Sequence, residues 1–262
     1  MIKKCTLCPI KCGIDRTKQA GRCKSTDKIK IALYSVHDFE EPCISGEKGS
    51  GTIFFSNCNM KCIYCQNYEI SQQGKGKEIT IEELAEIFIK QQENDVENIN
   101  LVTPTTYVPQ IIEAIKIARK NGLKIPIVYN TNGYEKVETL KMLEGYIDIY
   151  LPDLKYSDDL LAKRLSKVDN YFEIATDAIK EMHRQVGNTS FNENGIMNIV
   201  YNNPFKGGGI TQYIYGKTDI DVVQIEINRK YRDLNNPDNI KMVCYALIKF
   251  FRMYTNFIDK LD

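Results

Sequence analysis

The amino-acid sequence predicts an α/β fold whose main part is a parallel sheet curved into part of a barrel. Three observations predict it. Short, apolar, β-favouring runs alternate with amphipathic helical segments between about residues 52 and 187. The stretches between successive runs are long enough for the helical crossovers that parallel strands require. A cysteine-rich, irregular segment precedes this region, and a polar, turn-rich stretch follows it.

The first two strands of this sheet have clear sequence signals. TIFFSN (52–57) is apolar and rich in β-favouring residues, so it is the first predicted strand. Downstream of it, Thr80 and Glu83 form a capping-box pattern, which opens an amphipathic helix that ends near residue 93. NINLV (98–102) is the second predicted strand. The chain therefore returns to the sheet through a helix.

The same alternation continues through the next part of the chain. A helix is predicted over 106–120, and the Asn-Gly pair that follows it is a common C-terminal stop signal. IPIVYN (125–130) and YIDIYLP (146–152) are the third and fourth strands, with a helix between them. Two further helices are predicted at 158–167 and 171–186.

Composition and charge exclude several classes of partner. The chain has 35 Lys and Arg against 34 Asp and Glu, so no basic field indicates nucleic-acid binding. No apolar run approaches the ~18 residues of a membrane span. Nine cysteines without a secretory signal indicate a reducing compartment and metal ligation rather than disulfides. We therefore expect a cytoplasmic protein that binds neither nucleic acid nor membrane.

Three closely spaced cysteines follow the first predicted strand. Cys58, Cys62 and Cys65 have the spacing C-x3-C-x2-C. Three thiolates can hold three irons of a [4Fe-4S] cluster and leave the fourth iron open to a substrate. A zinc knuckle completed by a distant ligand is the alternative. The spacing, with Tyr64 before the last cysteine, resembles the radical S-adenosylmethionine (SAM) superfamily, which implies that the open iron binds SAM.

A longer set of motifs resembles one branch of that superfamily, the proteins related to the pyruvate formate-lyase activating enzyme. The motifs are CTLCPIKCGIDR, HDFEEPCISGEKGSGTIFFSNCNMKCIYCQNYEIS, NLVTPTTYVPQI, VYNTNGYE, IYLPDLKY and EMHRQVG. The resemblance implies an enzyme that takes an electron from flavodoxin or ferredoxin and cleaves SAM to a 5′-deoxyadenosyl radical. It leaves the substrate unknown, with a glycine of a partner enzyme as one candidate. The fold it implies is a partial (βα) barrel of radical SAM type over 51–190.

Residues at the ends of the second and third predicted strands are the candidate SAM ligands. Related proteins hold the SAM amino group after the second strand, and the resemblance places Thr103 and Thr105 there. A plain strand-to-helix turn is the alternative for these threonines. Asn130, Asn132 and Gly133 end the third strand, where amides could bond the SAM ribose or carboxylate and glycine allows close backbone approach.

Asp153 and Lys155 end the fourth predicted strand and are the candidate catalytic pair. An acid–base pair at this position could anchor a ribose hydroxyl, a carboxylate or the substrate backbone. A solvated surface pair is the alternative that the spacing alone leaves open.

Four further cysteines form a second group near the N-terminus. Cys5, Cys8, Cys12 and Cys23 have the spacing C-x2-C-x3-C-x10-C within a cysteine-rich segment that covers residues 1–50. Four thiolates suit either a closed tetrahedral zinc site or a second iron–sulfur cluster. A short, loop-rich segment needs such a staple because it cannot build its own core. We therefore expect a metal-binding segment here.

The C-terminal part, residues 196–262, resembles another family. YNNPFKGGGITQYIYGK and VVQIEINRKYRDLNN are similar to the C-terminal end of N-formylglutamate amidohydrolases, which places Glu226 and Arg229 near a hydrolase active site. The metal-binding half of that family is absent, so zinc-dependent hydrolysis is disfavoured. The sequence thus predicts a truncated radical SAM barrel with a small α/β tail. A non-catalytic, metal-binding remnant is the alternative function.

Overall fold

The computed structural model describes residues 2–38, 40–187, 190–191 and 197–198. The expectations for the rest of the tail, including Glu226 and Arg229, lie outside these residues. No helix in the described ranges has both the length and the apolar character needed to cross a membrane.

A six-stranded mixed sheet forms the centre of the molecule, with strand order β3-β1-β2-β4-β5-β6. Its strands are β1 (Ile29–His37), β2 (Ser50–Phe55), β3 (Lys77–Ile79), β4 (Ile99–Val102), β5 (Ile127–Thr131) and β6 (Ile149–Pro152). β2, β4, β5 and β6 are parallel neighbours in this order, and they are the four strands that the sequence predicts. The α/β class is therefore confirmed, and β6 is the last strand of this sheet among the described residues.

Two strands of the sheet, β1 and β3, are not predicted by the sequence. The sequence presents β1 only as an apolar stretch in an irregular segment, but it pairs antiparallel with β2, with Ile31 opposite Phe55. β3 pairs antiparallel with the first residues of β1. Alternation in β1 is weak because Leu33 and Tyr34 are both exposed. Its place in the sheet depends on a distant pairing that sequence periodicity does not report.

Seven α-helices lie in the described part of the chain. They are α1 (Pro42–Ser45), α2 (Tyr68–Ser71), α3 (Ile81–Glu93), α4 (Val108–Lys120), α5 (Val137–Met142), α6 (Asp159–Ser166) and α7 (Tyr171–Val186). The predicted capping box is present at α3, where Thr80 Oγ1 accepts from the Glu83 N–H at 3.1 Å and Glu83 accepts in return from the Thr80 N–H. A 3₁₀ turn over Thr105–Tyr107 precedes α4, so that helix begins two residues later than predicted.

The main core lies between one face of the sheet and the helices α3, α4, α5 and α7, whereas α1 packs on the other face. Ile53, Leu101 and Tyr129 of three adjacent strands are fully buried and pack with Phe88 of α3 and Ile111 of α4. Burial of apolar side chains of this size contributes roughly 1.5–3 kcal/mol each. This core holds the parallel strands in fixed register. The loops that follow β2, β4, β5 and β6 are therefore brought together at one edge of the sheet.

Candidate functional site

The loop that carries Cys58, Cys62 and Cys65 leaves the carboxyl end of β2 and docks on α6. Two backbone hydrogen bonds hold it there: the Lys61 N–H donates to the Ser166 carbonyl at 2.9 Å, and the Ile63 N–H donates to the Leu165 carbonyl at 2.9 Å. The loop is thus attached to the element that follows β6. This attachment fixes the cysteines at the carboxyl edge of the sheet, where parallel α/β folds place their chemistry.

Cys58 lies in a buried hydrogen-bond network. Its Sγ accepts from the Met60 N–H at 3.4 Å and from Asn132 Nδ2 at 3.4 Å. The same Asn132 amide donates to Asn59 Oδ1 at 2.8 Å, and Asn59 Nδ2 donates to the Tyr134 carbonyl at 2.7 Å. Burial raises the pKa of the Cys58 thiol to about 12. A free thiol here is therefore neutral, and the two N–H donors suit the thiolate that a metal would bind.

Cys62 and Cys65 also have polar partners. Ser166 Oγ donates to Cys62 Sγ at 2.9 Å, and Ser71 Oγ lies 3.1 Å from Cys65 Sγ. Burial raises the pKa of the Cys62 thiol, while the Ser166 hydrogen bond and the positive charge of Lys155 oppose that rise. Hydrogen bonds to sulfur are one of the factors that set the reduction potential of an iron–sulfur cluster. All three sulfurs of the motif therefore have a donor available.

The described side chains do not form a preformed site for a single metal ion. Within the part of the chain that the structure describes, no three His, Cys, Asp or Glu side chains are arranged to hold one metal ion. A tetrahedral zinc site needs ligand atoms at about 2.3 Å from one point. A cluster instead binds each thiolate at a different iron, so its ligands stand further apart. The assignment of a cluster to Cys58, Cys62 and Cys65 therefore rests on the spacing C-x3-C-x2-C.

The two candidate threonines after β4 lie in different environments. Thr103 is half-buried and adopts a left-handed backbone with φ of 59°, which is strained for a β-branched residue. Its N–H donates to the Asn130 carbonyl at 3.0 Å. Thr105 is fully buried, and its hydroxyl donates to Glu135 at 2.6 Å. Thr103 is thus the better placed of the two to meet a ligand at the sheet edge.

The three candidate residues at the end of β5 also have different contacts. Asn130 is half-buried in β5, beside Val102 of β4. Asn132 is committed to the cysteine loop through Cys58. Gly133 has φ of 76°, and a Cβ there would meet the Asp153 carbonyl oxygen at 2.2 Å. Glycine is therefore required because the turn after β5 runs against the end of β6.

Asp153 and Lys155 form the ion pair that the sequence suggested, with Lys155 Nζ 2.6 Å from Asp153 Oδ2. Tyr171 of α7, which sequence reasoning missed, fixes the backbone beneath them. Its buried hydroxyl accepts from the Lys155 N–H at 2.9 Å and lies 2.7 Å from the Asn132 carbonyl oxygen. This tyrosine therefore ties the end of β5 to the end of β6.

Glu135 is a second residue that sequence reasoning missed. It is buried, and one carboxylate oxygen accepts from Thr105, from Thr131 and, at 3.3 Å, from Tyr129. The other oxygen has no hydrogen-bond partner among the described residues. Burial raises the pKa of Glu135 to about 7, and the Thr105 and Thr131 hydrogen bonds oppose that rise. A glutamate after an Asn-Gly turn usually lies in solvent, so no local signal indicates this burial.

The N-terminal cysteines lie on the same side of the molecule. Cys5, Cys8, Cys12 and Cys23 all line one small cavity, together with Arg16, Asn59 and Thr106. Because Asn59 neighbours Cys58 in the chain, the two cysteine groups are close to one another. The structure thus brings the predicted N-terminal group together with the loop after β2.

Comparison with known proteins gives one family. The family model described as "Radical SAM superfamily" matches residues 52–200, which is more than half of the chain. This range includes the cysteine loop, the parallel strands and the candidate residues at their carboxyl ends.

Three curated relatives were found. An uncharacterized protein of Methanocaldococcus jannaschii is 37% identical over 186 residues, covering 66% of this chain and 52% of the relative. A second uncharacterized protein of that organism is 29% identical over 178 residues, covering 61% and 51%. The pyruvate formate-lyase-activating enzyme of Clostridium pasteurianum is 26% identical over 135 residues, covering 49% and 56%. The chain spans about half the length of these relatives.

Proposed function

The chain belongs to the radical SAM superfamily, and we propose that it is an enzyme that cleaves SAM reductively and uses the resulting radical to remove hydrogen from a substrate. The family implies a [4Fe-4S] cluster and SAM as the cofactors. The observation that carries the proposal is the cysteine loop at the carboxyl edge of the sheet, where Cys58, Cys62 and Cys65 each have a hydrogen-bond donor within reach of sulfur.

Cys58, Cys62 and Cys65 would hold the cluster as thiolates. When bound, the cluster supplies the electron that cleaves SAM at its open iron. Asn132 and Ser166 orient two of the thiolates through hydrogen bonds at 3.4 and 2.9 Å. Since both residues are themselves fixed by packing, the sulfurs are positioned before the cluster arrives.

The polar residues at the ends of β4, β5 and β6 would bind SAM. Thr103 and Asn130 stand next to each other across the β4–β5 pair, and both are half-buried. Lys155 lies close enough to Cys62 for its charge to oppose the rise in the thiol pKa. We assign Thr103 to the SAM amino group, Asn130 to the SAM ribose or carboxylate, and Lys155 with Asp153 to a ribose hydroxyl, a carboxylate or the substrate backbone. Gly133 lets the turn after β5 lie against the end of β6, which brings the candidate residues of the two strands together.

The partners follow from the reaction. Cleavage requires a one-electron donor, and flavodoxin or ferredoxin is the donor class we propose, in the cytoplasm. The hydrogen donor we propose is a glycine of a partner protein. The similarity to the pyruvate formate-lyase-activating enzyme of Clostridium pasteurianum supports this choice. A glycine peptide deuterated at the α-carbon tests it, because transfer would place deuterium in 5′-deoxyadenosine.

The decisive experiment is anaerobic turnover. The protein is reconstituted with iron and sulfide, mixed with SAM and a reductant, and assayed for 5′-deoxyadenosine by liquid chromatography. We expect product from the wild type and none from Cys62→Ala. The matched control is Cys43→Ala, which removes a buried cysteine of α1 outside the motif and should retain product. A bound cluster with SAM and reductant but no product would refute SAM cleavage and favour the non-catalytic remnant.

A further inference from the structure

Four cysteines of the N-terminal segment line one small cavity. They are Cys5, Cys8, Cys12 and Cys23, and the cavity has a volume of about 10 Å³. The backbone is folded tightly around it, since the Gly13 N–H donates to the Cys5 carbonyl and the Cys5 N–H donates to the Ile14 carbonyl, both at 2.8 Å. Thiols that are 18 residues apart in sequence thus line the same cavity.

A buried cation lines the same cavity. Arg16 is only 1% exposed, and its guanidinium donates to the Thr26 carbonyl at 3.0 Å and to the Thr106 carbonyl at 2.5 Å. These partners are neutral, and no ion pair of Arg16 is present in the described part of the chain. The Cys5 sulfur is near enough to the guanidinium to interact with it electrostatically. A buried charge normally has a counter-charge, and a thiolate at this cavity would supply one for Arg16.

A second cation stands between the two cysteine groups. The ammonium nitrogen of Lys61 is buried and makes no hydrogen bond to any described residue. The sulfurs of Cys58 and Cys23 lie near enough to this nitrogen to interact with it electrostatically. Its nearest candidate counter-charges are therefore also thiolates. Two cations without an ion pair among the described residues, close to four thiols of one cavity, point to a site that carries net negative charge when occupied.

We propose that Cys5, Cys8, Cys12 and Cys23 bind a second metal centre as thiolates, and that buried Arg16 and Lys61 are its charge partners. Four thiolates outweigh the charge of a divalent zinc ion, so the centre stays anionic. An iron–sulfur cluster with four thiolates has the same character. The shared chemistry is a tetrathiolate metal centre, and elemental analysis separates its two forms.

Occupation of this centre would act on the SAM site through short contacts. Asn59 lines the cavity, and its side chain bonds Asn132, which donates to Cys58 Sγ. Arg16 donates to the Thr106 carbonyl, in the turn that follows β4. The second centre therefore braces the cysteine loop and the turn after β4 together. The proposal of this second centre does not depend on whether the protein cleaves SAM.

The test removes the first cluster and counts what remains. A full-length Cys58→Ala/Cys62→Ala/Cys65→Ala variant is purified anaerobically, supplied with zinc or with iron and sulfide, and analysed for bound metal and sulfide. We expect either one zinc ion or one iron–sulfur cluster per chain, and loss of it when Cys8→Ser is added. Cys43→Ala, added instead, should leave the metal content unchanged. No bound metal after both supplies, or metal that survives Cys8→Ser, would overturn the proposal.

The charge partner is tested in the same background, so the outcome is independent of enzymatic activity. Arg16→Met removes the charge at nearly constant length, and Arg16→Lys keeps it. A chelator competition should show metal bound about 10- to 100-fold more weakly in the Met variant than in the Lys variant. Far-ultraviolet circular dichroism confirms that both are folded. If the Met variant does not fold, Lys61→Met against Lys61→Arg gives the same comparison. Equal affinities within the folded pair would refute the role of the cations.

Discussion

Replacing the buried Glu135 by glutamine should change how stability depends on pH. Burial raises the pKa of this carboxyl from its ordinary 4.5 to about 7, so the folded protein favours the neutral form. The unfolded chain ionises near 4.5, and between the two values it binds fewer protons than the folded chain. The contribution of Glu135 to stability is therefore complete below about pH 4.5 and is lost as the pH rises to 7.

The size of the effect follows from the two pKa values. At about 1.4 kcal/mol for each pKa unit, the free energy of unfolding of the wild type should lose about 3 kcal/mol through this group. A glutamine side chain at this position keeps the carbonyl that accepts from Thr105 and Thr131 but cannot ionise. The Glu135→Gln variant should therefore gain about 3 kcal/mol relative to the wild type between about pH 4.5 and about pH 7.5.

Urea unfolding of both proteins at several pH values measures this difference directly. The difference between variant and wild type cancels the contributions of other titrating groups. Glu86→Gln, on the exposed side of α3, is the control and should show a constant difference across the same range. A Glu135→Gln difference that is also constant would refute the reasoning, because it would mean that the carboxyl titrates alike in the folded and unfolded chains.

Three further predictions concern the sheet edge and the first long helix. Gly133→Ala should lower the free energy of unfolding by at least about 2 kcal/mol more than Gly145→Ala does. Both glycines have positive φ, but only at position 133 would a Cβ meet a carbonyl oxygen, that of Asp153. Equal urea midpoints of the two variants would contradict this. Thr80→Ala should lower the free energy of unfolding by about 1 kcal/mol, because it removes the capping box of α3. An unchanged thermal midpoint would count against this prediction. Lys155→Met should weaken SAM binding about tenfold in equilibrium dialysis, whereas Lys155→Arg should not, and equal affinities would exclude Lys155 from the site.

The parts of the fold that the sequence predicts are those with local signals. TIFF and NINLV are buried parallel strands, and such strands are recognisable as continuous apolar runs. The start of α3 depends on Thr80 and Glu83, which are only three residues apart. In contrast, β1 owes its place to pairing with β2, and its half-exposed residues conceal the strand pattern. Local signals thus identify the parallel core but not the strands that extend it.

The candidate site shows the same division. The spacing of Cys58, Cys62 and Cys65 is a local signal, so the cysteine loop could be identified without a structure. Arg16 and Glu135 are charged residues in glycine-containing turns, which usually lie in solvent. Both are buried because distant segments close over them, and no short motif reports that closure. Tyr171 was missed for a similar reason, since its hydroxyl acts on loops that precede it by 16 and 39 residues.

The direction of β1 decides where the N-terminal segment enters the molecule. Because β1 runs antiparallel to β2, its first residues lie beside the last residues of β2, as the pairing of Ile31 with Phe55 shows. The segment before β1 and the loop after β2 therefore arrive at the same end of the sheet. Had β1 been parallel, its nine residues would have put the segment about 30 Å away. The polarity of one strand thus makes neighbours of two cysteine groups that are 35 residues apart in the chain.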